Sequence, residues 1–179
     1  CSDTAETIAR ANIRHGRRLS LRPTVGHVVD WGVPIFAYFL PQFHYEPLNE
    51  KMWGPDFTEW TNVKAARALY RDHRQPYTPH LGFYDLSVPQ NLQRIIDKAR
   101  SIHIEGFVYW HSWLNKSTRP LAKVPEIHQS LATNQKFAFA WANANWTRSW
   151  VGDDSVLAEQ TYDLDEVDTH LDYLIRFFE

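Results

Sequence analysis

The chain is poor in cysteine, methionine and glycine: 179 residues contain one Cys, at position 1, one Met and seven Gly. A single cysteine rules out an internal disulfide framework and a cysteine-based zinc site. Neither sign of charge is in excess, with 19 Lys and Arg against 21 Asp and Glu and a formal net charge of -2. No basic surface for phosphate contacts is therefore expected, and no nucleic-acid partner. The longest apolar run, Val33 to Leu40, is far too short to cross a bilayer. The amino-terminal CSDTAETIAR has no apolar core of the kind a signal peptide carries. No GxGxxG or GxxxxGK(S/T) follows the first apolar run, and there is no HExxH. Neither a metal nor another cofactor is expected. These absences predict a soluble, cytoplasmic protein; they leave the oligomeric state open. The chain begins with Cys and stops at LDYLIRFFE, within an amphipathic helical pattern. It reads as a fragment of a longer protein.

Aromatic residues are abundant instead. They make up 15% of the chain, and seven of the eight Trp fall between Trp53 and Trp150. Core packing can absorb some of these rings, but their mixture with Asn, His and Gln suits ligand stacking.

Two regions are expected. Residues 1–32 read as a peripheral helix, over 3–18, followed by a linker containing Pro23, Gly26 and Gly32. Residues 33–179 read as an α/β domain. Three nearly continuous apolar runs, VPIFAYFL (33–40), IEGFVYW (104–110) and KFAFAWA (136–142), predict strands buried on both faces of a parallel sheet. Helical spacing marks 91–103, the stretch from Pro125 as a first helical residue, and 165–179. A weak fourth strand is expected at SVLAEQ (155–160). Strands alternating with helices predict βαβ units. Three or four strands cannot close a barrel, so the expectation is the amino-terminal part of a (β/α)8 barrel with its carboxyl-terminal half missing. A doubly wound sheet is the weaker alternative, for want of a glycine-rich loop.

The polar residues sit where such a fold puts its chemistry, at the carboxyl ends of the strands. The first strand leads into Gln42 and His44, the second into Trp110, His111, Trp113 and Asn115, and the third into Trp141, Asn143, Asn145, Trp146 and Arg148. Glu105 enters the second strand from the other end and reads as surface. A sugar ring explains this palette: an indole covers its axial hydrogens, and amides, imidazoles and a guanidinium pair its hydroxyls. Capping of turns and helices is the competing explanation for each Asn. The long connection 41–90 is expected to be functional or to hold local structure. It contains Glu59, Trp60 and Asn62 within MWGPDFTEWTNV. Beside an indole, the Glu59 carboxyl can be raised toward a general acid's range; a helix-terminus Glu is the plainer reading. Asp56 and Asp85 read as turn or capping residues.

The segments LPQFH, DFTEWTNV, LGFYDL, GFVYWHSW, WANANWTRSW and LAEQTY run in order from Ile35 to Tyr162. Together they resemble the WbsX-like glycosyltransferase family of polysaccharide gene contexts, whose fold is similar to the (β/α)8 barrel of the endo-α-mannosidase glycoside hydrolases. The resemblance implies a carbohydrate-active domain that transfers or hydrolyses glycosidic bonds in bacterial surface-polysaccharide or lipopolysaccharide metabolism, with an oligosaccharide or polysaccharide as substrate. Glu59 is the acid/base candidate, and the other residues named after the strands and beside it, Trp110 and Asn115 apart, would bind sugar. Two departures stand out. The family pattern W-A-N-E-N-W has Ala144 at its fourth position here, and VGDD follows Trp150 where W-D-G is usual. A methyl group cannot exchange a proton, so a non-catalytic carbohydrate-binding domain and an incomplete, inactive fragment stay as alternatives.

Overall fold

The structure, a computed structural model, describes residues 32–149 and 152–179. The helix expected over 3–18 and Trp150 lie outside them. Every element below belongs to the unit Pro34–Glu179.

Strands β1 (Phe36–Phe39), β2 (Gly106–His111) and β3 (Lys136–Trp141) form one parallel sheet in the order β1-β2-β3. Each lies within a stretch expected to be a strand or within a residue of it. The long first connection holds two seven-residue helices, α1 (Pro47–Trp53) and α2 (Glu59–Ala65). Helix α3 (Pro89–Arg100) leads to β2, α4 (Lys123–Ser130) to β3, and α5 (Leu164–Phe178) ends the chain's elements. Proline opens α1 and α3, where its missing N–H costs no helix bond. In α4 it is the third helical residue, Pro125, rather than the first as expected. The first turn tolerates either place, because none of its N–H groups has a partner within the helix.

The register explains the core. Ala37, Phe107 and Phe137 lie side by side across the strands, as do Phe39, Tyr109 and Phe139. Successive side chains of a strand point to opposite faces, so these two rows share one face. They pack beneath Leu92 and Ile96 of α3 and Val124 of α4, all fully buried. Helix α5 completes the layer, with the Phe177 ring 5.1 Å from Phe139 and the Phe177 carbonyl accepting a hydrogen bond from Gln129 of α4.

The opposite face corrects the expectation of two-sided burial. Phe36, Tyr38 and Trp110 lie on it, and Tyr38 is 70% exposed while stacking on Trp110 at 5.5 Å. A continuous apolar run shows that both faces tolerate apolar groups; it does not show which face the helices cover. The sheet is α/β in character and open, and among the described residues it does not close into a barrel.

The fourth strand is also corrected. Strand β5 (Val156–Ala158) pairs antiparallel with the two-residue β4 (Trp146–Thr147) and not with the main sheet. Gly152, at φ 76°, and Asp153, whose Oδ1 accepts from the Ser155 N–H at 2.9 Å, turn the chain back on itself. The result is a hairpin standing on the end of β3.

Gly106 is required by close approach. A Cβ there would lie 2.4 Å from the Phe36 ring and 2.6 Å from the Lys136 carbonyl oxygen. Gly106→Ala should destabilise the fold by about 1–3 kcal/mol, the usual cost of overpacking. Urea unfolding would show a lower midpoint with an unchanged slope.

Candidate active site

The carboxyl ends of the three strands open into a cavity of about 360 Å³. The chain leaving β1 supplies Leu40 and Gln42, that leaving β2 supplies Ser112, and that leaving β3 supplies Ala142 and Asn145. Trp110 reaches it from within β2. Asn49 and Trp53 enter from α1, four residues apart and so on one side of that helix. Glu59 and Asn62 enter from α2, and Trp146, Thr147, Ser149 and Leu157 from the hairpin.

Each wall is held by identifiable contacts. The Trp60 indole N–H donates to the Tyr84 carbonyl at 2.6 Å, and its ring packs on Phe43, Phe83 and Tyr84. That anchor fixes α2, and with it Glu59 in the first helical position. The hairpin is tied at its base. The Gln160 N–H donates to Asn145 Oδ1 at 2.7 Å, Tyr162 Oη to the Asn143 carbonyl at 2.7 Å, and the Thr161 N–H to the Leu114 carbonyl at 3.0 Å. Above, the Arg148 guanidinium lies 5.0 Å over the Trp53 ring, and the Trp146 indole N–H reaches Ser112 Oγ at 3.4 Å. Leu121, also in the wall, holds a left-handed backbone at φ 68° while its N–H donates to Glu46 Oε2 at 3.1 Å. A branched side chain in that region stores strain of about 1–3 kcal/mol.

The wall combines one carboxyl with unsatisfied amides. Burial raises the Glu59 pKa above the ordinary carboxylate value. Gln42 and Asn49 are 6% and 3% exposed, yet Gln42 Oε1 and Asn49 Nδ2 have no hydrogen-bond partner among the described residues. An acceptor and a donor left so cost about 1–3 kcal/mol each, which a hydroxylated ligand can recover. Indoles from Trp53, Trp110 and Trp146 supply the apolar surface.

Of the residues singled out in the sequence, Gln42, Glu59, Asn62, Trp110, Asn145 and Trp146 come together around this cavity. The others do not line it. Trp60 is the anchor behind Glu59. His44 is buried beside Asp85 and Lys123, and its pKa is lowered by burial. His111 and Trp113 are buried against α5: His111 Nε2 lies 2.9 Å from His170 Nε2, and the Trp113 ring stacks on His170 at 4.5 Å. Trp141 sets its edge toward His170, while Asn143 and Arg148 tie down the hairpin. These side chains follow the strands as expected, but alternation turns His111 and Trp113 to the helix-covered side. Asp56 and Asp85 are turn residues, with Asp56 at φ 58° and Asp85 Oδ1 accepting from the Ser87 N–H at 2.7 Å. Glu105 pairs with Lys136 at 2.8 Å on the surface. Asn49, Trp53 and Ser112 were not singled out; the four-residue spacing of Asn49 and Trp53 in a helical stretch was the available signal. Asp163 and Asp165 form an Asp-x-Asp triplet around Leu164, but it starts α5 and lies outside the cavity wall. No group of three or more His, Cys, Asp and Glu among the described residues is placed to hold a metal ion, and no helix among them is long and apolar enough to cross a membrane.

A family model described as Glycosyltransferase WbsX matches residues 35–179. Two curated proteins of Xanthomonas campestris pv. campestris, both titled "Uncharacterized protein WxcX", are similar over 181 aligned residues. The protein of strain B100 is 30% identical and that of strain ATCC 33913 is 29% identical. Each alignment covers 92% of this chain but 26% of the relative, so the chain spans about a quarter of their length. No solved structure matches.

Two buried histidines make the fold sensitive to acid. Burial lowers the pKa of His111, next to His170 and Arg119, and that of His128, whose Nδ1 lies 3.0 Å from Tyr109 Oη, each from 6.5 to about 4. Between those values the unfolded chain binds more protons than the folded one, so stability is complete above pH 6.5 and is lost as pH falls toward 4. The slope is at most about 1.4 kcal/mol per pH unit for each histidine. Urea midpoints measured from pH 7.5 to 4.5 should fall below pH 6.5, and His128→Gln should flatten the fall.

Proposed function

This chain belongs to the WbsX glycosyltransferase family, and on that footing we propose that its cavity binds a sugar residue of a polysaccharide and presents Glu59 to a glycosidic oxygen. The observation that carries the reading is the pair of buried amides, Gln42 and Asn49, each with an unpartnered atom in the same wall as Glu59 and three indoles. Hydroxyls of a pyranose supply the missing donor and acceptor, and the indoles cover its apolar face. Asn62, Asn145 and Trp146 add to that grip. Burial raises the Glu59 pKa, so its carboxyl keeps its proton to a higher pH than an exposed Glu does. In that state it can deliver a proton to a leaving oxygen, as a general acid does.

Transfer and hydrolysis at a glycosidic centre both pass through an oxocarbenium-like transition state, and hydrolysis ordinarily uses two carboxyl groups. Among the described residues, Glu59 is the one carboxyl in the cavity wall. The second, in this reading, comes from parts of the full-length protein outside this chain, which spans 26% of its relatives. The sequential strand order β1-β2-β3 supports treating the unit as the amino-terminal part of a (β/α)8 barrel, whose interior would cover Tyr38 and Trp110. The work assigned is glycosidic-bond chemistry in bacterial surface-polysaccharide metabolism, in the cytoplasm. The lone carboxyl and Ala144 favour one second reading, a carbohydrate-binding unit without turnover of its own.

In the full-length protein, Glu59→Gln should lower turnover at least about tenfold while leaving KM little changed, within the usual contribution of acid–base catalysis. Asn49→Ala should raise KM or Kd about tenfold, from the loss of a buried hydrogen bond. Unchanged turnover in the Gln variant would sink the acid role. Saturable oligosaccharide binding with tryptophan fluorescence change, and no product from the full-length protein, would establish the binding-only reading.

A further inference from the structure

We propose that a second cavity, formed by α4, α5 and the segment after β2, binds a sugar-borne oxyanion, either a carboxylate or a phosphoryl group. It has a volume of about 410 Å³ and is lined by Lys116 and Arg119 after β2, Glu126 on α4, and Asp172, Tyr173 and Arg176 on α5. The inference stands on these side chains and does not depend on the reading of the first cavity.

Arg119 is its centre. The guanidinium carbon lies 4.8 Å above the Tyr173 ring and 5.7 Å from that of Trp113. Stacking holds a guanidinium by its face and leaves the edge N–H groups free to form a fork for two oxygens. Trp113 is itself buried and stacked on His170, so the platform beneath Arg119 is fixed. Among the described residues no carboxylate lies within ion-pair distance of Arg119 or Lys116; Arg176 pairs with Asp172 at 3.6 Å. Tyr173 Oη is buried without a hydrogen-bond partner. An arginine oriented on two rings, with its donors uncommitted beside an unpartnered hydroxyl, is arranged to receive an anion rather than merely to cover apolar surface.

The surrounding charges narrow the ligand. Three cations against two carboxylates favour one oxyanion and oppose a polyanion such as nucleic acid. Glu126 and Asp172 are acceptors suited to hydroxyl groups on the same molecule. An acidic sugar and a sugar phosphate both present that combination.

Calorimetric titration of the full-length protein with glucuronate and with inorganic phosphate tests the site. At least one should bind, more weakly as salt is added. Arg119→Gln should raise its Kd at least about tenfold, the scale of a lost charge-assisted hydrogen bond, and Arg119→Lys should recover part of the loss. Asn49→Ala in the first cavity should leave this Kd unchanged, so the two sites fail separately. The tighter of the two anions identifies the source, carboxylate or phosphoryl. If Arg119→Gln loses its fold by circular dichroism, the exposed Lys116→Gln takes its place, with the same direction of change. Absence of binding by both anions, or affinities indifferent to both substitutions, would overturn the proposal.

Discussion

Everything in this unit depends on the register that lines up aromatic side chains across three parallel strands. Phe39, Tyr109 and Phe139 fall in one row and Ala37, Phe107 and Phe137 in the next. A shift of one residue in any strand would move its rings to the other face. The rows make a dense layer of tilted and edge-on contacts, such as Phe39 to Phe107 at 4.9 Å and Tyr109 to Phe137 at 5.7 Å. Helices α3, α4 and α5 bury their apolar sides against it. Each fully buried Leu or Ile contributes roughly 1.5–3 kcal/mol, more than helix propensity differences supply over a turn. The helices are therefore fixed by the sheet, and the Tyr109 hydroxyl taken into that layer is paired with His128 Nδ1.

The same register decides where the polar ends of the strands go. Because Tyr109 faces the helices, Trp110 faces away and reaches the first cavity, and His111 turns back to meet His170. One strand thus feeds two environments. The cavity on the strand ends is built from loops that the core holds only at their roots, and each is tied by a separate contact. Trp60 anchors α2, Arg148 crosses from the hairpin to Trp53 on α1, and Asn145 ties the two ends of the hairpin together. Gln42 and Asn49 remain unpaired inside this otherwise well-tied wall. Unpaired buried amides are costly to keep, so in the proposed reading they are the part of the wall that a ligand would pair.

The main strands and helices were legible in the sequence because apolar runs and helical spacing report burial directly. The covered side of the sheet was not, since runs such as VPIFAYFL carry no mark of which neighbour will pack on them. The strand expected at SVLAEQ (155–160) forms, but it pairs in a hairpin with Trp146–Thr147 and not with the main sheet, because Gly152 and Asp153 are turn residues that reverse the chain. For the candidate site, position after a strand picked out Gln42, Asn145 and Trp146. It did not separate them from His111 and Trp113, because orientation at a strand end follows alternation and not order. Asn49 and Trp53 lay in a helix too short for its pattern to stand out.

The segment WANANWTRSW shows how a motif and a mechanism come apart. Ala142, Asn145, Trp146, Thr147 and Ser149 form part of the cavity wall, whereas Ala144 is exposed and does not line it. Asn145 uses its Oδ1 on the Gln160 N–H, and Arg148 lies over Trp53, so two of the most polar residues of the segment are committed to holding the hairpin in place. What the segment gives the cavity is shape and an indole. In the proposed reading the proton donor comes from another part of the wall, where Glu59 stands on a helix anchored independently by Trp60. An acidic side chain at position 144 would therefore begin outside the described cavity wall, on a loop whose geometry is set by its neighbours. Under the proposed function, the part of the wall that holds Glu59, where desolvation raises the pKa of its carboxyl, is the place for general-acid chemistry.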